Sequence, residues 1–104
     1  MKRPPKIDNL INEVCSKLDS GNYRYVGHAN ERLQERSVSR PEVKHVLKHG
    51  HHEKRKDEFK EEFWQWNYSV RGKTVDKRSL RIAVTFDKTN MLIITVIDLG
   101  DRNE

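Results

Sequence analysis

The 104-residue chain has room for one domain, and it is basic, with 21 lysine and arginine residues against 16 aspartate and glutamate residues. The net charge of +5 indicates an anionic partner, which is nucleic acid, an acidic protein or an anionic membrane surface. A single cysteine excludes an intrachain disulfide, and no apolar run approaches the roughly 20 residues that a membrane-spanning helix needs. We therefore expect a cytoplasmic protein with no membrane partner.

Three segments are expected along the chain. Residues 1–6 have the composition of a flexible basic arm, with two prolines among lysine and arginine. Residues 7–99 carry all the periodic patterns and predict a single α+β domain. Residues 100–104 are polar and are expected to form a C-terminal tail.

The N-terminal half is predicted to be mainly helical. Apolar residues recur at intervals of three and four from Ile7 to Leu18, which is typical of an amphipathic helix, and Gly21 is expected to end it. Residues 22–26 predict a short strand, and residues 28–36 predict a short second helix. The sequence Ser39-Arg40-Pro41-Glu42 is a capping box with proline in the first turn, so a third helix is expected to begin there and to end at Gly50.

After the third helix the apolar pattern changes to a period of two. Residues 51–57 predict a polar strand, residues 63–70 alternate clearly, and residues 71–73 suit a turn. Residues 80–86 predict another strand, and residues 91–97 are apolar on both faces, as in a central strand. The expected fold is α+β, with three helices packed on one face of a three- or four-stranded antiparallel sheet.

Basic residues of the second predicted helix form the first candidate site. His28, Arg32 and Arg36 are four residues apart, so they share one helix face. Arginine matches the geometry of phosphate, and histidine can carry a proton near neutral pH. Alternatively, this is a solvated face on which Glu31 and Glu35 pair with the basic residues.

Lys54, Arg55 and Lys56 form a second basic cluster. In the predicted strand, alternation sends Lys54 and Lys56 to one face and Arg55 to the other. The cluster suits a patch that attracts phosphates, but lysines that protect an exposed edge strand from aggregation have the same pattern. Both interpretations stay open.

The faces of the later strands identify two more candidates. Trp64, Trp66 and Tyr68 share one face, and we expect them to lie in the core, although such aromatic residues can also stack on unpaired bases. Gln65 then projects from the opposite face. In the next strand, Arg81 projects away from its core-facing neighbours.

Metal and cofactor binding are not expected. His45 and His49 have the i, i+4 spacing of metal ligands, but His51 and His52 lie beyond the predicted helix end at Gly50. Histidines near a helix C-terminus also complement the helix dipole without any ligand.

The predicted order of elements resembles that of the RelE-type toxins, which are small bacterial ribonucleases paired with antitoxins. The resemblance is greatest to the MqsR-like branch and to an uncharacterised bacterial family grouped with these toxins, and it covers residues 7–99. The residues that carry it are Gly21 after the first helix, the His28-Ala29…Arg32…Glu35-Arg36 stretch leading to Gly50, the Trp64-Gln65-Trp66-Asn67-Tyr68 strand, and the apolar strands 80–86 and 91–97.

The resemblance implies a metal-independent ribonuclease toxin, an mRNA interferase, whose partners are mRNA and an antitoxin protein. In the MqsR-like branch a lysine ahead of the Trp-Gln strand, the glutamine of that strand and a tyrosine of the next strand are catalytic. Gln65 matches that glutamine by motif, and Lys54 or Lys56 matches the lysine by location. The tyrosine has no counterpart, because Ser79-Leu80 stands at its position. Other RelE-type enzymes use mixed sets of Arg, Lys, His and Tyr, and His28, Arg32 and Arg81 are expected to fill this gap.

The expected catalytic set is therefore His28, Arg32, Lys54, Gln65 and Arg81. The reaction implied is attack of the RNA 2′-hydroxyl on the adjacent phosphate. Proton transfer is assigned to His28, and charge stabilisation is assigned to Arg32, Lys54 and Arg81. Substrate positioning is assigned to Gln65. A further basic group, consisting of Arg36, Arg55 and Lys56, is expected to bind the nucleic acid. The alternatives are a non-catalytic nucleic-acid-binding module and a basic protein-interaction domain.

Overall fold

The computed structural model describes residues 2–100 and confirms the α+β class. The elements in chain order are α1 (Leu10–Ser20), β1 (Tyr23–Tyr25), α2 (Ala29–Glu35), α3 (Arg40–His49), β2 (His51–His52), a 3-10 turn (Lys54–Lys56), β3 (Glu58–Lys60), β4 (Gln65–Lys73), β5 (Ser79–Phe86) and β6 (Met91–Gly100). Within residues 2–100, every helix is too short to cross a bilayer. Residues 101–104 of the expected tail lie outside the described residues.

The sheet is larger than the three or four strands expected. Its order is β1-β6-β5-β4-β2, and β3 pairs separately with β4. The long strands β4, β5 and β6 are antiparallel, as predicted, and short strands extend them on both sides. β1 is parallel to β6, because two helices and several strands separate the two along the chain and allow a crossover.

The ends of the helices follow their sequence signals. Ser39 and Glu42 form the predicted capping box at the start of α3, with Pro41 in the first turn. Gly21 ends α1 in the left-handed conformation, at φ 78°. Gly50 ends α3 for another reason. A Cβ atom there would lie 2.5 Å from the Arg71 carbonyl oxygen, so only glycine lets α3 approach β4 so closely.

The hydrophobic core lies between the helices and one face of the sheet. α1 contributes Leu10, Val14 and Leu18, and α3 contributes Val43, Val46 and Leu47. The sheet side includes Val70, Leu80, Ile82, Val84, Ile93 and Val96, all fully buried. Because side chains alternate along a strand, the residues between these positions project from the other face of the sheet. We call that face the open face. It includes Asn67, Ser69, Arg71, Arg81, Ala83, Thr95 and Ile97.

The N-terminal segment makes specific contacts, although its composition suggested a flexible arm. The Trp66 indole N–H donates to the Pro4 carbonyl oxygen at 2.8 Å. The ammonium group of Lys6 lies 4.5 Å from the centre of a Trp66 ring and 3.0 Å from an Asp57 carboxylate oxygen. The backbone N–H of Ile7 donates to the Tyr68 hydroxyl. These contacts hold the segment against the β3–β4 hairpin.

Candidate functional site

A buried carboxylate, Glu53, follows the edge strand β2 and contacts side chains of the open face. Only 6% of Glu53 is exposed. Arg81 donates to it at two points, from Nε to Oε1 at 2.7 Å and from Nη2 to Oε2 at 3.1 Å. Arg71 donates from Nη1 to Oε2 at 3.3 Å, and the Ser69 hydroxyl donates to Oε1 at 3.3 Å. Chiefly through the hydrogen bonds from Arg81, and against the effect of burial, the pKa of Glu53 falls to about 2.

The two arginines meet here because of the strand register. Arg71 of β4 stands directly opposite Arg81 of β5, a position in which like charges repel. Glu53 lies between them and its negative charge offsets that repulsion. Its backbone N–H also donates to the Ser69 carbonyl oxygen at 2.8 Å, which fixes it beside β4.

Glu53 orients the guanidinium group of Arg81 but does not use all of its donors. A guanidinium carries five N–H groups, of which Glu53 engages two. Within residues 2–100, the other three N–H groups of Arg81 have no hydrogen-bond partner. The orientation of the Arg81 guanidinium is therefore fixed by Glu53, and 19% of the Arg81 side chain is exposed.

A second buried carboxylate, Asp57, fixes the segment that follows β2. Asp57 accepts a hydrogen bond from the Ser69 backbone N–H at 2.9 Å and contacts His52 Nε2 at 2.8 Å. Together, Glu53 and Asp57 bracket the 3-10 turn Lys54–Lys56. The expectation of a strand over residues 51–57 is therefore wrong beyond His52. The two acidic side chains turn inward to basic partners, and the chain between them forms a turn.

A cleft of about 440 Å³ opens on this face beside Arg81. Three of its lining residues are basic, namely Lys56, Lys60 and Arg81. One, Glu58, is acidic, and it pairs with Lys60 at 3.1 Å. The rest of the lining is uncharged, and consists of Asn67, Tyr68, Ser69, Ala83, Ile94, Thr95 and Ile97. The cleft thus combines an excess of cations with neutral hydrogen-bonding groups, which suits a phosphate-bearing ligand.

Two of the residues predicted from the sequence line this cleft, Arg81 from the catalytic set and Lys56 from the binding set. Lys54 lies on the same turn without lining it, and its carbonyl oxygen accepts a hydrogen bond from Lys6. Arg55 is exposed and approaches Glu53 at 3.7 Å. The 3-10 turn therefore replaces the alternating faces expected for these three residues.

Gln65 lies at the far end of β4. It pairs with Lys60 of β3 and is six residues from Arg71, the position opposite Arg81. At about 3.3 Å per residue, that separation is roughly 20 Å along the strand. The strand begins at Gln65, because Phe63 and Trp64 belong to the turn before it, where Trp64 has a φ of 51°.

The structure separates the basic residues of α2 from the cleft. α2 packs against β6 through Ala29 and Leu33. On its outer face His28 pairs with Glu31 at 2.8 Å, and Arg32 pairs with Glu35 at 3.1 Å. The His28 side chain is 77% exposed.

Arg36, at the end of α2, has a structural contact. Its Nε donates to the Val96 carbonyl oxygen of β6 at 3.3 Å. β1 pairs with β6 only over Met91–Ile93. The bond from Arg36 therefore satisfies a β6 carbonyl that lies past the segment paired with β1.

The histidines near the end of α3 do not converge on one point. His45 and His49 lie side by side with ring centres 4.7 Å apart, whereas His52 contacts Asp57. Residues 2–100 contain no group of three or more His, Cys, Asp or Glu side chains arranged to hold a metal ion.

Sequence reasoning missed Glu53, Arg71 and Lys60. Residues 71–73 were expected to form a turn, but β4 runs through Lys73 and brings Arg71 opposite Arg81. The signal available in the sequence was the alternation of β4, which continues from Tyr68 through Val70 to Gly72 and places Arg71 on the same face as Ser69.

Comparison with known proteins identifies the family but no activity. No curated protein and no solved structure matches the chain. The family described as Domain of unknown function (DUF4258) matches residues 25–98, which include α2, α3 and all the residues of the open-face cleft. The chain therefore belongs to the DUF4258 family.

Proposed function

We propose that the open-face cleft binds the backbone of RNA and that the protein is a metal-independent ribonuclease of a toxin–antitoxin pair. The observation that carries the proposal is Arg81, held at two points by buried Glu53 and facing a cleft that also contains Lys56 and Lys60. The proposed pairing with an antitoxin rests on the resemblance to RelE-type toxins.

The charges of the site support an RNA ligand. Arg71, Arg81, Lys56 and Lys60 outnumber Glu53 and Glu58, so the site has an excess of positive charge even after its internal pairs are counted. In the part of the chain that the structure describes, α1 and α3 pack on the opposite face of the sheet and leave this one uncovered by them. An extended strand of RNA therefore has access to the cleft along the direction of β4.

The proposed reaction is an internal transfer of the phosphate. The 2′-oxygen forms a bond to phosphorus while the bond from phosphorus to the 5′-oxygen breaks. The proton of the 2′-hydroxyl passes to a base, and an acid protonates the departing 5′-oxygen. The products are a 2′,3′-cyclic phosphate and a 5′-hydroxyl, so no water or other reactant is consumed.

The cleft offers groups for each part of this reaction. Arg81 stabilises the negative charge that develops on the phosphate oxygens, because its orientation is fixed in advance. Glu58 is the one carboxylate of the cleft lining and is assigned the role of base. Lys56 is assigned protonation of the leaving oxygen. Glu53, which accepts a hydrogen bond from the Ser69 hydroxyl, positions Arg81 and does not line the cleft.

The test is cleavage of a mixed single-stranded RNA by the purified protein in the presence of a chelator. We expect fragments that end in a 2′,3′-cyclic phosphate. The matched substrate carries 2′-O-methyl groups, and we expect it to be bound but not cut, because it has no 2′-hydroxyl to attack. If unmodified RNA is bound without cleavage, the protein is an RNA-binding module and not a ribonuclease. If RNA is not bound at low salt, both the ribonuclease and the binding module are contradicted.

A further inference from the structure

A second cleft, of about 780 Å³, lies on the helix side of β1. It is bordered by the end of α1, by α2 and α3, and by all three residues of β1. Its apolar lining consists of Leu18, Pro41, Val43, Leu47 and Ile93. The rings of Tyr23 and Tyr25 project to this side, since their register partners Met91 and Ile93 face the core.

The charged lining of this cleft has one sign. Arg24, Arg40 and Lys44 line it, and none of its lining residues is acidic. The guanidinium of Arg40 lies 4.6 Å from the centre of the Tyr25 ring and donates to Asn30 Oδ1 at 2.7 Å. Burial raises the pKa of Tyr25 to about 12, so its hydroxyl keeps its proton at neutral pH. The cleft therefore presents donors and positive charge above an apolar floor.

The edge of β1 beside the cleft has no strand neighbour among residues 2–100. β1 is the terminal strand of the sheet, with β6 on its other side. The Asn22 carbonyl accepts from Met91, and the Val26 N–H donates to Ile93, so these two residues direct backbone groups toward β6. Along a parallel strand, the backbone N–H and C=O groups of successive residues point to opposite edges of the strand. The backbone groups of Tyr23 and Tyr25 therefore point to the outer edge.

We propose that β1 and this cleft bind an acidic, extended peptide segment of a partner protein, which adds to the sheet as a strand alongside β1. Its backbone pairs with Tyr23 and Tyr25, as in other cases of strand addition to a sheet edge. Its apolar side chains occupy the cleft floor, and its carboxylates lie near Arg40 and Lys44. The apolar floor and the strand edge favour a peptide over RNA, because the RNA backbone has no apolar side chains to bury and does not pair with a β-strand. This proposal does not depend on the ribonuclease activity.

The test is selection of a random peptide library on the intact protein, followed by synthesis of the selected peptides. We expect sequences in which Asp or Glu alternates with Val, Ile or Leu. In NMR spectra with bound peptide, the amide protons of Tyr23 and Tyr25 should exchange more slowly with water, because they become hydrogen-bonded. The amide of Arg24 is the internal control, since it faces β6.

Two charge reversals separate this surface from the RNA site. Lys44→Glu should weaken binding of a selected peptide at least tenfold and leave RNA binding unchanged. Lys56→Glu, the matched change in the open-face cleft, should weaken RNA binding and leave peptide binding unchanged. The proposal is overturned if the selected peptides lack acidic residues, if the Tyr23 and Tyr25 amides keep their exchange rates, or if Lys44→Glu weakens RNA binding as strongly as Lys56→Glu. A failure of RNA binding alone would contradict only the ribonuclease proposal.

Discussion

Glu53 and Arg81 meet at two points, with Nε to Oε1 at 2.7 Å and Nη2 to Oε2 at 3.1 Å, although 28 residues separate them in the chain. The pair joins the segment after β2 to the middle of the sheet. Because Glu53 is buried and also contacts Arg71, it holds together two like-charged side chains on adjacent strands. The same contact that stabilises the fold therefore orients the proposed phosphate-binding group.

Glu53→Gln should destabilise the protein by roughly 2 to 4 kcal/mol at neutral pH. The amide keeps the shape of the side chain but removes the negative charge between two arginines, and breaking one partner of a buried ion pair is costly. The measurement is the free energy of unfolding from urea denaturation. Glu58→Gln is the control, because that carboxylate is exposed, and it should change the free energy by no more than about 0.5 kcal/mol. Equal effects of the two variants would contradict the structural role of Glu53.

The stabilising effect of Glu53 should depend on pH. Its pKa is lowered from 4.5 to about 2 in the folded protein, so the folded state favours the ionised form. The stabilisation is fully present above the unfolded pKa and is lost as the pH falls from about 4.5 toward 2. The difference in unfolding free energy between the wild type and Glu53→Gln should therefore narrow over this pH range. A difference that stays constant down to pH 2 would show that Glu53 does not titrate as the ion pair requires.

The face on which Arg81 lies could be predicted from the sequence, but its partner could not. Leu80, Ile82 and Val84 alternate with it, and a period of two determines which side chains face the core. Glu53 carries no comparable signal, because a charged residue in a polar segment is ordinarily exposed. Its burial depends on Arg71 and Arg81, which approach only after β4 and β5 pair.

The α2 residues illustrate the same limit. The spacing of His28, Arg32 and Arg36 predicted a helix, and residues 29–35 do form one. Periodicity shows which residues share a helix face, but tertiary packing determines which part of the protein that face contacts. Here the helix lies against β6, and its basic residues find partners on the helix itself and on Val96.

Arg81→Lys should keep part of the proposed ribonuclease activity, whereas Arg81→Ala should lower the rate about a hundred- to a thousandfold. Lysine keeps the charge but cannot bind Glu53 and a phosphate at the same time with a planar fork. The measurement is single-turnover cleavage of RNA, with thermal unfolding to confirm that each variant is folded at the assay temperature. Arg32→Ala is the matched control and should cleave at the wild-type rate, since Arg32 does not line the cleft.

His28→Ala distinguishes the open-face site from the site first expected on α2. His28 is exposed, pairs with Glu31 and does not line the open-face cleft, so its loss should change the cleavage rate less than about twofold and the stability by no more than about 0.5 kcal/mol. A positioned acid or base contributes roughly a hundred- to ten-thousandfold to a rate. A decrease of that size in folded His28→Ala would return the catalytic site to α2 and contradict the assignment of Glu58 and Lys56.

RNA binding should weaken steeply with salt, to a degree that follows from the number of cations at the open-face cleft. Lys56, Lys60 and Arg81 are the three cations of its lining, and each phosphate contact to single-stranded RNA contributes about −0.7 to the slope of log affinity against log salt. A slope near −2.1 means that raising the salt fourfold, from about 50 to 200 mM, lowers the affinity roughly twentyfold. Fluorescence anisotropy with an uncleavable 2′-O-methyl RNA measures this slope without interference from cleavage.

Lys56→Gln should reduce the magnitude of the slope by about 0.7, because one contact is lost. Lys44→Gln removes the same charge from the cleft beside β1 and should leave the slope unchanged. If both variants reduce the slope equally, RNA does not distinguish the two clefts, and binding follows the net charge of the protein rather than the geometry around Arg81.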